Sequence, residues 1–350
     1  MAKRFGVVGM LVAAAVAFAP AANAQTKVVY AGGPAKFNKA LQKHGAGLDN
    51  FLVNRITIHV GDTVEWNGAS LASGFHTVDI PKLHGSDLPL ITPTGSTVTG
   101  VKDAAGNPFW FNGNVPVLGF DPLLFMPAGG TTYNGTKRVD SGLPLGKPHN
   151  FKVKFTTVGT YKYFCDVHYG MSGTVVVKPK NAAIPSATAD AATLKKQEQK
   201  YLAEAKRVAK TKAPAGQVSV GASGPGGLEV FAMFPSVLNI TAGTTVQFVM
   251  SRDTRETHTA TFGPTAYLNP LAASFAGPAP APAAVYPSDP PGQITLSPTS
   301  HGNGFANTGA LDRDKPTPLP AVGAIKFTTP GTYTYQCLIH PFMRGTIIVH

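Results

Sequence analysis

The chain contains the same segment twice, and this duplication constrains its fold more than any other feature of the sequence. The first segment spans residues 154–177 and the second spans residues 326–349. Both contain Gly-Thr-Tyr followed by Cys, His and Met at identical spacing, with every matched position 172 residues apart. A shorter pair lies upstream, where residues 61–76 correspond to residues 243–258. The sequence therefore predicts a tandem duplication of one domain.

Alternating apolar and polar residues indicate β-strands within each copy. Residues 56–60 read Ile-Thr-Ile-His-Val and residues 151–155 read Phe-Lys-Val-Lys-Phe. A period of two is typical of antiparallel strands with one buried face. The sequence also contains 38 Gly and 30 Pro residues, which favour turns between short strands. We expect an all-β fold with two Greek-key β-sandwich domains.

A helical pattern separates the two copies. Residues 190–212 are rich in Ala, Lys, Glu and Gln, and their apolar side chains fall on one helical face, namely Leu194, Tyr201, Leu202, Ala205 and Val208. The segment is also basic, which we interpret as a solvated helix face rather than as an anionic docking site. The predicted organisation is a signal peptide (1–24), a first domain (25–180), a basic helical linker (181–215) and a second domain (216–350).

The N-terminus has the features of a secretory signal peptide. Lys3 and Arg4 precede an apolar run, and the small residues around Ala24 provide a cleavage site. The run is too short for an ordinary transmembrane helix, so a retained anchor is the weaker alternative. We expect cleavage after Ala24, a periplasmic or secreted location, and no transmembrane segment in the mature chain.

Two long segments, residues 82–148 and 264–321, have no clear period. Each interrupts its copy at the same place, between the upstream histidine and the strand that leads to the cysteine. Loops of this length in a compact domain are unusual and are often functional or partly folded. Their role is left open by the sequence.

The residues that carry chemistry follow each cysteine at fixed spacing. His comes three positions after Cys and Met six positions after it, in the sets Cys165, His168 and Met171, and Cys337, His340 and Met343. His76 and His258 occupy matching places upstream and provide a second imidazole for each set. A thiolate, two imidazoles and a weak thioether are the ligands of a copper ion that transfers one electron. Each copy is therefore predicted to bind copper.

Three other interpretations compete with copper. Cys165 and Cys337 are the only cysteines, and cysteines of exported proteins commonly pair in disulfides. Their equivalent positions in two separate copies disfavour that pairing. Zinc seldom uses Met as a ligand. Packing in a core explains Met171 or Met343 taken alone, but explains the repeated spacing poorly.

With these residues in place, the two segments resemble the cupredoxins, the family of blue copper proteins. Residues 337–345 read Cys-Leu-Ile-His-Pro-Phe-Met-Arg-Gly and are similar to the short ligand loop of amicyanin and plastocyanin relatives, and residues 165–171 are similar to a variant of it. The resemblance implies two type 1 copper ions per chain, one held by His76, Cys165, His168 and Met171 and the other by His258, Cys337, His340 and Met343.

The resemblance also implies an electron port in each domain. The port would be the exposed edge of His168 or His340 inside an apolar patch, to which Tyr169 contributes in the first domain and Pro341 and Phe342 in the second. An electron-transfer partner protein follows from this role.

The sequence departs from the family beside the ligands. The family usually has Asn after the first His and Ser or Thr after Cys, and these two residues brace one another. Here the corresponding pairs are Thr77 with Asp166 and Thr259 with Leu338. We therefore expect altered bracing of the loops and different potentials at the two copper ions, since Asp166 and Leu338 place different charge near each sulfur.

The sequence favours an electron carrier over an enzyme. It contains no His-x-His motif, which multicopper oxidases need, and no His directly beside either cysteine as in nitrite reductases. The other histidines are expected to have surface or structural roles. A copper-handling protein of the cell envelope is the alternative, followed by an oxidoreductase with a second site between subunits. The net charge of +12 favours an acidic redox partner; no nucleic-acid partner is expected, and the oligomeric state is left open.

Overall fold

The computed structural model describes residues 24–68, 76–81, 88–143, 150–313, 317 and 319–350. Apart from Ala24, the predicted signal peptide lies outside these residues. Most of the regular structure in the described part of the chain is β-strand, arranged in sheets that form two sandwiches. The prediction of an all-β fold is confirmed. Among the helices of these residues, none has both the length and the apolar character needed to cross a membrane.

The alternating stretches of the first copy become strands because each presents one apolar face to the core. Ile56 and Ile58 are buried in one strand, and Val64 and Trp66 are buried in the next. The strands of this copy are β1 (Thr26–Ala31), β2 (Ala46–Leu48), β3 (Phe51–Leu52), β4 (Arg55–His59), β5 (Thr63–Asn67), β6 (Asp79–Ile80), β7 (Ile91–Thr97), β8 (Pro116–Phe120), β9 (Thr132–Tyr133), β10 (Val139–Asp140), β11 (Asn150–Phe155), β12 (Gly159–Phe164) and β13 (Ser172–Lys178).

The first sandwich consists of the sheets β3-β1-β5-β11-β9 and β10-β6-β12-β13-β4. Apolar side chains from both sheets meet between them, and the rings of Trp66 and Tyr163 lie 5.1 Å apart there. The sheets are mixed, because β1 runs parallel to β5 and β4 runs parallel to β13. The expectation of antiparallel neighbours is wrong for these pairs, since the Greek-key connections place strands from distant parts of the copy side by side.

The second copy repeats this arrangement. Its strands are β14 (Gln217–Gly224), β15 (Leu228–Phe234), β16 (Val237–Ile240), β17 (Thr245–Met250), β18 (Thr261–Phe262), β19 (Thr295–Leu296), β20 (Ala306–Asn307), β21 (Val322–Phe327), β22 (Gly331–Gln336) and β23 (Arg344–Val349). They form the sheets β19-β21-β17-β14-β15-β2 and β16-β23-β22-β18-β20. Phe248 packs against Tyr335 between these sheets, with ring centroids 5.4 Å apart.

One strand of the first copy belongs to a sheet of the second. Strand β2 pairs antiparallel with β15, so that Leu48 lies opposite Leu228 and Ala46 lies opposite Val230. All four side chains are buried. The two copies are therefore joined by backbone hydrogen bonds as well as by the linker.

The helices pack mainly around the junction of the copies. They are α1 (Ala35–Gln42), α2 (Ala187–Val208), α3 (Thr265–Ala273) and α4 (Pro282–Val285). Helix α2 is the linker helix, and its Ser186 cap accepts a hydrogen bond from the N–H of Ala189 at 3.2 Å. Its predicted apolar face packs between the copies, where the hydroxyl of Tyr201 accepts a hydrogen bond from Asn50 at 2.8 Å.

The two long segments without a clear period pack against each other. Aromatic side chains from the first, including Phe109 and Phe111, form a cluster with apolar residues of the second. The indole N–H of Trp110 donates to the carbonyl of Pro287 at 2.9 Å. Leu338, which follows Cys337, belongs to the same cluster. We call the two long segments the first and second insertions. The first insertion thus covers part of the second copy.

Candidate metal centres

The first candidate site brings together His76, Cys165 and His168. One ligand atom from each lies within 4.8 Å of the others. The two Nδ1 atoms are 3.0 Å apart, and the Sγ of Cys165 is 3.6 Å from the Nδ1 of His168. Met171 is fully buried in the core cluster that also contains Cys165. Each predicted residue of this copy therefore lies at or beside one buried pocket.

The second candidate site has the same arrangement. His258, Cys337 and His340 place their ligand atoms within 4.8 Å of one another, and the two Nδ1 atoms are 3.2 Å apart. The Sγ of Cys337 lies 3.8 Å from the Nδ1 of His258 and 3.9 Å from that of His340. Met343 is buried in the same core cluster as Cys337.

Short loops between paired strands position these side chains. The first ligand loop, residues 165–171, connects β12 to β13, and the second, residues 337–343, connects β22 to β23. Each loop closes with a hydrogen bond from the Cys N–H to the Met carbonyl, at 3.0 Å in both copies. The upstream histidine precedes a short strand that pairs with the strand leading to the cysteine. Strand pairing therefore brings a distant imidazole to the loop.

A threonine hydroxyl braces each cysteine loop. Thr77 accepts a hydrogen bond from the N–H of Asp166 at 2.8 Å. Thr259 accepts one from the N–H of Leu338 at 2.9 Å. The departures from the family pattern thus retain a link between the two segments, because in both copies the threonine hydroxyl binds the backbone N–H after Cys. In the first copy, Thr77 also donates to the Asp166 carboxylate at 3.1 Å.

Burial controls the protonation of the donor groups. It lowers the pKa of His168 well below the ordinary value, with further contributions from His76 and Arg255. Burial lowers the pKa of His340 to about 4. It raises the pKa of the Cys165 thiol to about 12. The two imidazoles are therefore neutral at pH 7 and able to bind a metal, and a bound cation would displace the thiol proton.

The environments of the two cysteines differ in charge. Burial, followed by the charges of Asp79 and Asp140, raises the pKa of Asp166 to about 7. Leu338 takes the equivalent place in the second copy and is completely buried among apolar residues. The two pockets therefore share donors but differ in the polarity beside the sulfur.

The expected electron port of the first copy is wrong. His168 is only 5% exposed, and its ring lies beside Glu256 of the second copy. Its Nε2 lies 3.8 Å from Asp49 Oδ1. In the second copy, the side chain of His340 is 18% exposed and the neighbouring Phe342 is 69% exposed. Docking of the two copies covers one histidine edge and leaves the other partly accessible.

Two carboxylates near the sites were not predicted from the sequence. Asp49 and Glu256 form a group with His168 whose ligand atoms lie within 4.8 Å of one another. Glu256 precedes His258 by two positions, but no motif connects it with the first copy. Asp49 lies in a stretch without a motif. Their positions depend on the docking of the copies, which residue spacing does not encode.

The donor set in each pocket fits copper better than zinc. The pockets combine buried neutral imidazoles, one thiol and a nearby buried Met, and soft sulfur ligands with imidazoles suit both Cu(I) and Cu(II). In each copy an amide also donates to the cysteine sulfur at 3.4 Å, from Thr77 and from Thr259. Such hydrogen bonds stabilise a thiolate.

A match to one family model agrees with this chemistry. The family model of copper-binding proteins of the plastocyanin/azurin family matches residues 125–178. Amicyanin from Paracoccus versutus is a similar solved structure, with 22% identity over 41% of this chain and 88% of that chain, at a TM-score of 0.22. A reduced Cu(I) mutant of amicyanin at pH 4 has 17% identity over 41% of this chain and 89% of its own, also at 0.22. No curated protein sequence matches the chain.

Proposed function

Residues 125–178 belong to the plastocyanin/azurin family of copper-binding proteins, and on that premise we propose that the chain is an electron carrier with a type 1 copper in each copy. The first ion would be held by His76, Cys165, His168 and Met171, and the second by His258, Cys337, His340 and Met343. When bound, copper would supply one-electron chemistry between Cu(I) and Cu(II).

The convergence of the same donors in two separate sandwiches carries the proposal. In each copy, two imidazoles and one sulfur come from segments that the fold brings together, and their ligand atoms lie within 4.8 Å. Strand pairing, the closing hydrogen bond of each loop and the threonine hydroxyl hold these segments in place. A cage that is fixed before binding needs little rearrangement when the ion changes charge, and this favours rapid electron transfer.

We further propose that the protein acts outside the cytoplasm. The support is the N-terminal sequence, in which Lys3 and Arg4 precede an apolar run that ends near Ala24. The partner would be another redox protein. Loss of Lys3 and Arg4 with the signal peptide would leave 28 basic and 18 acidic residues, a net charge of +10 that favours an acidic partner.

Metal analysis with visible and EPR spectroscopy tests the proposal. The purified chain should bind two copper ions, each with an intense thiolate-to-copper absorption that disappears reversibly on reduction. Cys165→Ser and Cys337→Ser should each remove one ion and about half of the absorption. His44→Ala serves as the control, since His44 lies outside both pockets, and it should leave both signals unchanged. The blue band should also disappear when a chelator removes the copper.

Other outcomes would point to the remaining candidates. Colourless copper that exchanges readily would contradict electron transfer and favour a copper-handling protein. A third, non-blue copper ion would contradict a simple carrier and indicate an oxidoreductase. The group formed by Asp49, His168 and Glu256 would then be the place to examine.

A further inference from the structure

Glu256 lies at the boundary between the copies and is close to the loop histidine of each. Its Oε2 is 3.7 Å from the Nε2 of His340. Its carboxylate also belongs to the group with Asp49 and His168, whose ligand atoms lie within 4.8 Å of one another. In both histidines, the Nδ1 atom faces the cysteine and the other histidine of its own site. The ring edges that point away from the two cysteines therefore approach the same carboxylate.

The position of Glu256 is fixed by contacts across the boundary. The preceding residue, Arg255, donates from its guanidinium to the backbone carbonyl of Asp49. The backbone N–H of Arg255 donates to the buried carboxylate of Glu229 at 2.8 Å. Glu229 lies in β15, the strand that pairs with β2 of the first copy. The approach of the two histidines thus follows from the sheet that the copies share.

The two sites differ in their access to solvent. His168 is 5% exposed and lies beside Glu256 of the second copy. The side chain of His340 is 18% exposed, and its ring lies 4.8 Å from that of Phe231 and 6.0 Å from that of the exposed Phe342. A protein partner can approach the second ligand loop, whereas the imidazole of the first faces protein.

We propose that His168, Glu256 and His340 form an electron path between the two sites, and that electrons enter and leave the chain at His340. This inference rests on the proposed function. With copper held in both sites, one electron would pass from the reduced site to the oxidised site, so that one Cu(I) would become Cu(II) as one Cu(II) became Cu(I). No bond is formed or broken and no proton is transferred. Electron tunnelling weakens steeply across gaps, so a carboxylate between two ring edges favours exchange.

Access is tested with single-site chains and cytochrome c as a protein-sized redox probe. Cys165→Ser retains the second site alone, and Cys337→Ser retains the first site alone. We expect the first site alone to react with cytochrome c at least tenfold more slowly than the same site in the wild-type chain. The second site alone should react at the wild-type rate. Equal rates for the first site in both chains would overturn the proposal.

The path itself is tested by Glu256→Ala in the chain that holds copper in both sites. One site is reduced by a short pulse of a small photochemical reductant, and electron exchange between the two sites is then followed. In Glu256→Ala this exchange should be at least tenfold slower than in the wild type, while both blue bands stay unchanged. Glu204→Ala, on the linker helix, is the control and should exchange at the wild-type rate. An unchanged exchange rate with intact blue bands in Glu256→Ala refutes the path, whereas missing blue bands in the wild type refute the proposed function.

A second measurement does not depend on electron transfer or on the folding of Glu256→Ala. Two Cu(II) ions whose ligands approach one carboxylate should couple magnetically, so the wild-type EPR spectrum should be broader than the sum of the spectra from the two single-site chains. A spectrum equal to that sum would place the sites too far apart for the path.

Discussion

The backbone N–H of Thr77 donates to the Sγ of Cys165 over 3.4 Å, although the two residues are 88 positions apart in the chain. Thr259 makes the equivalent bond to Cys337, also at 3.4 Å. Each threonine follows the upstream histidine directly, so one residue links that histidine to the cysteine loop. The hydroxyl of the same threonine also accepts a hydrogen bond from the backbone N–H of the residue after the cysteine. The threonine is therefore the element that holds each pocket together before a metal binds.

Removing the threonine hydroxyl should destabilise the metal-free protein. Thr77→Val and Thr259→Val each leave the N–H after the cysteine buried without its acceptor, which costs about 1–3 kcal/mol. Unfolding in urea should show this loss in the free energy of unfolding. Thr77→Ser and Thr259→Ser keep the hydroxyl and are the matched controls. If the valine and serine variants were equally stable, the hydroxyl would have no bracing role.

The two copper ions should differ in reduction potential because Asp166 and Leu338 differ in charge. A carboxylate near a thiolate favours Cu(II), so the first site should have the lower potential. At about pH 8.5 the Asp166 carboxyl is ionised, because its pKa is about 7. Asp166→Asn should then raise the potential by on the order of 100 mV, since a unit charge a few ångströms away contributes roughly 3 kcal/mol at an effective dielectric constant of 20. Potentiometric titration of the Cys337→Ser chain isolates this site.

Leu338→Met is the control for the second site. It replaces one apolar side chain by another of similar volume, and the potential of the second site should stay within the error of the titration. A single midpoint shared by both sites in the wild type would contradict the assigned role of Asp166.

The sequence predicts the strands and ligands because both depend on local spacing. Ile56 and Ile58 alternate with polar residues, and this pattern alone indicates a strand with one buried face. The spacing of Cys, His and Met identifies the loops in the same way. The matching positions of His76 and His258 in the two copies indicate the upstream histidine. Pairing of neighbouring strands then brings it to the loop.

Contacts between the copies are not predictable in this way. Strand β2 has only three residues, Ala46–Leu48, and its pairing with β15 depends on the shape of the whole second sheet. The approach of Glu256 in the second copy to His168 in the first has no periodic signal either. The expected port at His168 was wrong for this reason, because exposure of a loop depends on what docks against it.

The insertions should stabilise the second copy through their aromatic cluster. Phe111 is fully buried and stacks on Phe109 with centroids 4.9 Å apart. Phe111→Ala should lower the free energy of unfolding by about 3–5 kcal/mol, the usual cost of removing a buried aromatic ring. Leu123→Ala, at a position that is 43% exposed, is the control and should cost much less. If calorimetry gave Phe111→Ala and Leu123→Ala equal losses in the free energy of unfolding, the aromatic cluster would contribute little to stability.

His301 should make the stability of the insertions depend on pH. It lies in the second insertion, 3.3 Å from the carboxylate of Asp103 in the first insertion and 3.4 Å from that of Asp289. Burial lowers the pKa of His301, but Asp289 and then Asp103 outweigh this effect and leave the pKa above its ordinary value of 6.5. The imidazolium is therefore stabilised in the folded state.

The sign of the pH dependence follows from the raised pKa. The contribution of His301 to the stability of the folded state is fully present below 6.5, its pKa in the unfolded chain. It is lost as the pH rises through the higher pKa of the folded state. His301 has a left-handed backbone with φ of 52°, so His301→Asn is the suitable variant, because Asn tolerates this conformation. At pH 5.5 we expect the free energy of unfolding in urea to be roughly 1 kcal/mol higher for the wild type than for His301→Asn. This difference should shrink towards pH 8. A difference that stays constant or grows with pH would contradict the ion pairs.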